Sequence, residues 1–299
     1  MANLKDLRAR KKSVQATRKI TAAMKMIAAA KLQKAQKRAT DARPYARLMA
    51  GIMEDLLQAR TRQSEGPPLL SGTGKDNVHL FVVVTSNRGL CGGFNSQVVR
   101  VARRSLERAV AEGKKIKIIC IGRKGREQLK REFGSQIVET LPAFDTPSFP
   151  DAMDICQKII SYFEAGDFDF CTLFYNKFIS ALNNQAVAQQ LIPFVSLEED
   201  LRDRKEEKVS QTHLSSLYEY EPSKETVLEE LLPRNLSVQL YRALLESTAS
   251  EHGARMTAMD GATRNAGDMI HKLNLVINRT RQAQITMELT EIISGAEAL

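Results

Sequence analysis

Residues 281–298 read RQAQITMELTEIISGAEA. They close a stretch that has no proline from Arg234 onward, in which methionines and small apolar residues recur in heptads. Met259, Ala266, Leu273, Thr280 and Met287 stand seven apart. Met256, Thr263, Ile270, Ile277 and Gln284 form a companion series three or four residues away. Sustained 3-4 spacing over several heptads is the seam of a coiled coil. At about 1.5 Å per residue, a helix from Arg234 to the end reaches roughly 95 Å. That is several times the usual globular helix. Such an element acts through its shape, as a shaft or lever, and does not house a small-molecule pocket.

Working outward, residues 3–60 form a second helical block. Leu4, Leu7, Val14, Ile20, Met24, Ile27, Ala28, Ala35, Leu48, Ile52 and Leu56 trace a narrow apolar stripe that suits one partner helix. Ala28, Ala29 and Ala30 allow that partner a close approach, and Pro44 predicts a kink or break. Neither terminal helix can bury its stripe alone, so the two are expected to pair with each other, antiparallel.

Between them the period changes. HLFVVVTS (79–86), KIKIICIG (115–122), FDFCTLFYNKF (168–178) and AVAQQLIPF (186–194) read as strands. Helical segments near 95–111, 123–132 and 150–164 alternate with them, which predicts an α/β domain with a mainly parallel sheet. The expected fold class is therefore a long antiparallel coiled coil of the N- and C-terminal helices plus a central Rossmann-like α/β domain. The expected divisions are 1–62 for the N-terminal helix and 76–197 for the α/β domain. A linker with a short helix takes 198–232, where Pro233 ends that helix, and the terminal helix takes 233–299.

Composition narrows the function. No run of eighteen apolar residues exists to span a membrane. The N-terminus, MANLKDLRARKKSVQ, has no apolar core of a signal peptide. Cys91, Cys120, Cys156 and Cys171 make no C-x-x-C pair, and their expected role is that of small buried hydrophobes in a reducing compartment. Residues 1–62 carry sixteen Lys or Arg against four Asp or Glu, a balance of +12 in a chain whose total is +9. The basic character is thus assigned to that one segment. Nucleic acid is the reflex partner for it, but only Tyr45 is aromatic there, so base stacking has little to use.

Catalytic signals are weak. TSNRGLCGGFN (85–95) lies between a strand and a helix, where glycines could cradle a phosphate, yet no Lys follows them and the G-x-G-x-x-G pattern is missing. A tight turn is the better reading. Cys91 has no His near it in sequence, and His79, His213, His252 and His271 are scattered. No catalytic residue, cofactor or metal is expected. Two patches look specific instead: TAAMKMIAAAK (21–31), and the tip RQAQITMELTE (281–291), where Arg281, Gln282, Thr286 and Glu288 lie within two turns. Polar groups at seam positions sacrifice stability, which suggests that the tip meets a third party.

These residues carry a resemblance over essentially the whole chain. ITMELTEIISGAEA (285–298) is similar to the C-terminal signature I-T-x-E-x-x-E-x-x-x-G-A of the gamma subunits of F-type ATP synthases. KITAAMKMIAAAKL (19–32), RPYA (43–46), SNRGLCGGFN (86–95), YEP (220–222) and ASEHGARMTAMDGATRNA (249–266) match that family in order. The resemblance implies a rotor shaft inside a ring of three alpha and three beta subunits, with the epsilon subunit and the c-subunit ring at its foot, and no nucleic acid. It implies ATP chemistry on beta, none on this chain, and a peripheral place on the cytoplasmic face of a bacterial inner membrane. It places Met24, Arg281, Gln282, Thr286 and Glu288 against beta, and Tyr220 and Glu221 at the c ring. Asn87 departs from the family, which usually has Asp there.

Overall fold

The computed structural model describes residues 4–58, 67–181, 183–194, 221 and 223–297. Contacts divide the chain into two units, residues 31–254 and residues 1–30 with 255–299.

The larger unit is built on a five-stranded sheet. Its strands are Val78–Val84 (β1), Lys115–Ile121 (β2), Ile137–Leu141 (β3), Phe170–Phe178 (β4) and Asn184–Ile192 (β5), in the order β3-β2-β1-β4-β5. β1 pairs in parallel with β2 and β4, and β2 with β3, while β4 and β5 are antiparallel. Loop length explains the difference. Few residues separate β4 from β5, enough only for a hairpin, whereas helices make the parallel crossovers. Those helices are Phe94–Ala111 (α3), Arg123–Phe133 (α4) and Phe149–Glu164 (α5). A four-residue helix, Pro68–Ser71 (α2), precedes β1. The inner strands are covered on both faces toward their carboxyl ends, which is why residues 80–84 of β1 and 118–121 of β2 read as apolar runs rather than alternating ones. Ser148 starts α5 with a capping box: its N–H and hydroxyl reach the Asp151 carboxylate, and Asp151 N–H returns to Ser148 Oγ.

Two cores flank the sheet. On one face α3 and α4 bury Val98, Ala102, Leu106 and Leu129 against Phe81, Ile118 and Phe174. On the other, α5 shares the core with both terminal helices, Leu4–Gln58 (α1) and Lys224–Glu297 (α6). Met53 and Leu56 come from α1, and Leu228, Leu232, Leu236, Leu240 and Leu244 from α6. The contact boundary therefore cuts through each long helix, at residues 30/31 and 254/255, rather than following the chain order expected from sequence.

The expected break at Pro233 is absent. α6 runs unbroken from Lys224 to Glu297 with Pro233 inside it, and α1 likewise continues through Pro44. At Pro233 the reason is packing: Leu232 and Leu236 on either side are both buried in the core, and that burial outweighs the lost helix hydrogen bond. The carbonyl of Pro233 accepts from Ser237 Oγ at 2.9 Å. The sequence reading also missed β3, a five-residue edge strand that is only half buried and so shows little periodicity.

In the smaller unit, the first part of α1 and the last part of α6 run antiparallel. Lys25 Nζ meets Asp260 Oδ1 at 2.6 Å, and Thr263 Oγ1 donates to Thr21 Oγ1 at 2.8 Å. A Cβ added at Gly267 would lie 4.0 Å from Arg18 Nε. Partner numbers rise on one helix as they fall on the other, adding to 284 or 285 each time. Met259, Ala266 and Leu273 are buried, as the heptad series requires. The α1 stripe needs correction. Thr21, Ala28 and Ala35 are buried, whereas Ile20 and Ile27 are 59% exposed and Leu48 is 70% exposed. The buried series here is Leu7, Val14, Thr21 and Ala28, each seven apart and each at least half-buried. Ala35, Ala42, Met49 and Leu56 continue the spacing within the larger unit, where Leu56 belongs to the core shared with α5. Alanine and threonine hold the seam because two helices approach closely there, and larger residues are turned outward.

Candidate functional site

The end of α6 is the first candidate. The pairing register puts Leu4, the first described residue of α1, opposite about residue 281. Seam burial stops there. Thr280 is half-buried, and every residue from Arg281 to Ala296 is exposed. Among the described residues, no residue of α1 lies opposite the heptad positions Gln284 and Met287. Ile285, Met287, Leu289, Ile292 and Ile293 are exposed by 44 to 68%, a run of apolar surface that a free-standing helix does not need. Arg281, Gln282, Thr286 and Glu288 lie together on this stretch, all exposed. Thr286 is tied to its own helix, its hydroxyl donating to Gln282 O at 3.0 Å, and Thr290 repeats the bond to Thr286 O at 2.8 Å.

Met24 does not join them. It is half-buried, one residue from the Lys25–Asp260 pair, which is about 30 Å along the helix from Arg281 at about 1.5 Å per residue. Lys25 holds the Asp260 carboxyl below its ordinary value, and Arg264 adds to this against a smaller cost of burial. Around Met24, Ile20, Met26 and Ile27 are exposed. Of these, Ile20 and Ile27 were expected in the seam and instead face outward, with Met26 beside them. Spacing does not separate the two rows, since Ile20 and Ile27 are seven apart just as Thr21 and Ala28 are; side-chain size does. Glu221 is exposed, and Tyr220 falls outside the described residues.

The second candidate is the carboxyl end of the sheet, where doubly wound domains hold ligands. Here the chain's own side chains occupy the polar positions. Asn95 Oδ1 accepts from Ser86 N at 2.9 Å, Asn95 Nδ2 donates to Ser86 Oγ at 2.8 Å, and Ser86 Oγ donates to Arg88 O at 2.6 Å. Thr85 Oγ1 takes the Gly125 N–H in the first turn of α4 at 2.8 Å. Asn87 makes two bonds to one residue: Nδ2 donates to Ala143 O at 2.7 Å, and Oδ1 accepts from Ala143 N at 3.0 Å. That explains the amide at 87 in physical terms, since a carboxylate would lack the donor. Gly122 has φ +99, and a Cβ there would sit 2.2 Å from Thr85 O, so no other residue fits. The glycine-rich segment therefore serves a packed turn, as its sequence suggested.

The thiols offer no nucleophile in this region. Cys91 is 2% exposed and receives Asn95 Nδ2 at 3.3 Å. Burial pushes Cys120 up to about 12 and Cys156 up to about 11, and raises Cys171 further. Among the described residues, no cluster of His, Cys, Asp or Glu is arranged to hold a metal, and no helix is long and apolar enough to cross a membrane.

Known proteins share this architecture and sequence. The family model described as ATP synthase matches residues 3–299. The chain is 53% identical to the ATP synthase gamma chain of Parvibaculum lavamentivorans and 51% identical to that of Rhodospirillum rubrum, each over 100% of both chains. Among solved structures, it resembles a chain of the central stalk and c-ring portion of Tetrahymena thermophila mitochondrial ATP synthase. That match has a TM-score of 0.60 at 26% identity, covering 81% of this chain and 99% of that one. A chain of the Euglena gracilis mitochondrial enzyme superposes with a TM-score of 0.67 at 20% identity, over 99% of this chain and 94% of that one, and speaks for the fold alone. With full-length identity above half and a family match from end to end, the chain belongs to the ATP synthase gamma-chain family.

Proposed function

We propose that this chain is the central rotor shaft of an F-type ATP synthase, turning with a c-subunit ring inside a ring of three alpha and three beta subunits. The observation that carries this reading is the end of α6, where a helix exposes Ile285, Met287, Leu289, Ile292 and Ile293 past the described residues of its partner, on a chain 53% identical to a gamma chain over its full length. Such a tip is stable in water only at a cost, and a surrounding sleeve of alpha and beta removes that cost. Arg281, Gln282, Thr286 and Glu288 supply polar contacts to beta, and Met24 with its exposed neighbours supplies a second contact further down. Tyr220 and Glu221 serve the foot, toward the epsilon subunit and the c ring.

The mechanism is one of unequal contacts. A shaft that touched the three beta subunits alike would favour no conformation over another, because a ligand shifts an equilibrium only by its differential affinity. The tip lacks three-fold symmetry, so each orientation stabilises a different set of beta states. Rotation then forces the three sites through them in turn. In this reading ATP is made or hydrolysed on beta, the chain has no catalytic group, and the complex sits with this subunit on the cytoplasmic face of a bacterial inner membrane.

The test is ATP hydrolysis by matching alpha and beta subunits assembled with and without this chain. The expected result is incorporation of one copy per three beta subunits and faster steady turnover; no incorporation and unchanged turnover refute the reading. A further expectation concerns Met24→Lys, which sets a second cation beside Lys25 and loosens the coupling of hydrolysis to proton transport. Proton uptake per ATP hydrolysed in inverted vesicles reports it, and an unchanged ratio counts against the assignment of Met24.

A further inference from the structure

The basic character of the chain is not confined to its first segment. α3 carries four Arg and one Glu, and α4 carries five Lys or Arg and two Glu, a combined balance of +6 in two neighbouring helices. Residues 63–299 as a whole sum to −3, given the total of +9 and the +12 of residues 1–62. The charge on α3 and α4 is therefore concentrated against the trend of its surroundings. Both helices bury their apolar side on the same face of the sheet, so their outer side belongs to solvent.

The cations on that outer side are ordered. On α3, Arg100, Arg104 and Arg108 are spaced four apart, and on α4, Arg123, Arg126 and Lys130 recur at three and four; all six are exposed. The carboxylates of α4 are already committed, Glu132 to Arg103 at 2.8 Å and Glu127 to Lys124. Arg103 also donates to Gln128 O at 3.4 Å, which ties the two helices together. None of the six exposed cations forms an ion pair among the described residues.

We propose that the outer face of α3 and α4 docks an acidic helix of a partner protein. Cations four apart on a helix are about 6 Å apart along its axis, the spacing of carboxylates four apart on a second helix laid beside it. Five of the six are arginines, whose planar forks suit bidentate carboxylates better than a lysine does. A lipid surface fits less well, because membrane-surface helices add bulky apolar side chains to their charge. Here the exposed large apolar residue of the two helices is Val110, two positions past the Arg row and off its line. Single-stranded nucleic acid fits less well too, for want of an aromatic among the cations. The proposal is independent of the tip assignment.

The experiment uses the full-length chain and two fluorescent helical peptides of equal composition. One carries its glutamates at i, i+4 and i+8 on a single face; the other scatters them around the helix. The expected result is tighter binding of the patterned peptide. Arg100→Glu/Arg104→Glu/Arg108→Glu should weaken it about tenfold or more, since each exposed pair is worth up to about 1 kcal/mol. Arg123→Glu/Lys130→Glu, on the other helix, should weaken it as well. Reversal of Lys34, Lys37 and Arg38, equally exposed on α1, should leave binding unchanged. Equal binding of the two peptides, or equal sensitivity to the α1 reversal, would mean diffuse surface charge and overturn the proposal. So would stronger binding of phosphatidylglycerol vesicles or duplex DNA that is lost in the α3 variant.

Discussion

The turn at the carboxyl end of the sheet and the tip of α6 look alike in sequence, each a short polar-and-apolar mixture, but they differ in how their groups are satisfied. In the turn, the buried polar atoms of Thr85, Ser86 and Asn95 find partners within the chain. At the tip, sixteen consecutive residues are exposed, several of them large and apolar. A region that completes its own hydrogen bonds and packing has a structural role in the chain itself. A region that leaves apolar surface bare has its complement elsewhere. Substitutions should therefore damage folding at the first and turnover of the assembled enzyme at the second.

Gly122→Ala is the strongest way to break that contrast. Its Cβ would meet Thr85 O at 2.2 Å in a backbone that side chains rarely adopt, so a loss of about 4 kcal/mol is expected in denaturant unfolding. A loss below about 1 kcal/mol would mean that the turn yields easily.

Asp169→Ala comes next. The Asp169 carboxylate accepts from Thr73 Oγ1 at 2.5 Å and from the N–H groups of Asn77 and Val78 at 2.9 and 3.0 Å, joining the start of β1 to the start of β4. About 2 kcal/mol should be lost at neutral pH. Burial raises this carboxyl, but these donors more than offset it and hold it below its ordinary value. The stability it contributes is therefore present above the unfolded carboxylate value of about 3.9 and is lost as pH falls through the lower folded one. The gap between wild type and variant should shrink below about pH 4; a gap constant across that range would remove the carboxylate from the explanation.

Asn87→Asp sharpens the comparison within the turn. It keeps the acceptor for Ala143 N and loses the donor to Ala143 O. About 1 kcal/mol of destabilisation is expected by chemical unfolding, and a more stable variant would show that the acceptor alone matters.

At the tip, Arg281→Ala with Glu288→Ala should move stability by less than about 0.5 kcal/mol, as exposed positions do, while lowering turnover of the assembled enzyme. Normal assembly with unaltered turnover would detach these two residues from beta.

The sequence was most legible where spacing is dictated by one neighbour. The series Met259, Ala266 and Leu273 was buried as expected, because a seam repeats with its partner helix. β1, β2 and β4 were legible from apolar runs covered on both faces. β3 was not, since a half-covered edge strand has little pattern. On α1 the choice between Ile20 and Thr21, or Ile27 and Ala28, went to the larger residue in sequence and to the smaller one in the fold. Hydrophobicity ranks isoleucine first for burial, but close helix approach leaves room only for the small side chain.

By itself, then, the sequence determined that two long helices flank an α/β domain and that the tip carries an unusual mixture of polar and apolar groups, because periodicity and composition are local. Tertiary structure decided three other things. It carried α6 through Pro233, because flanking leucines are buried there. It ended the described seam near Thr280, because Leu4, the first described residue of α1, lies opposite about residue 281. And it gathered Arg100, Arg104 and Arg108 with Arg123, Arg126 and Lys130 onto one outer face, because two crossover helices pack side by side on the same side of a parallel sheet.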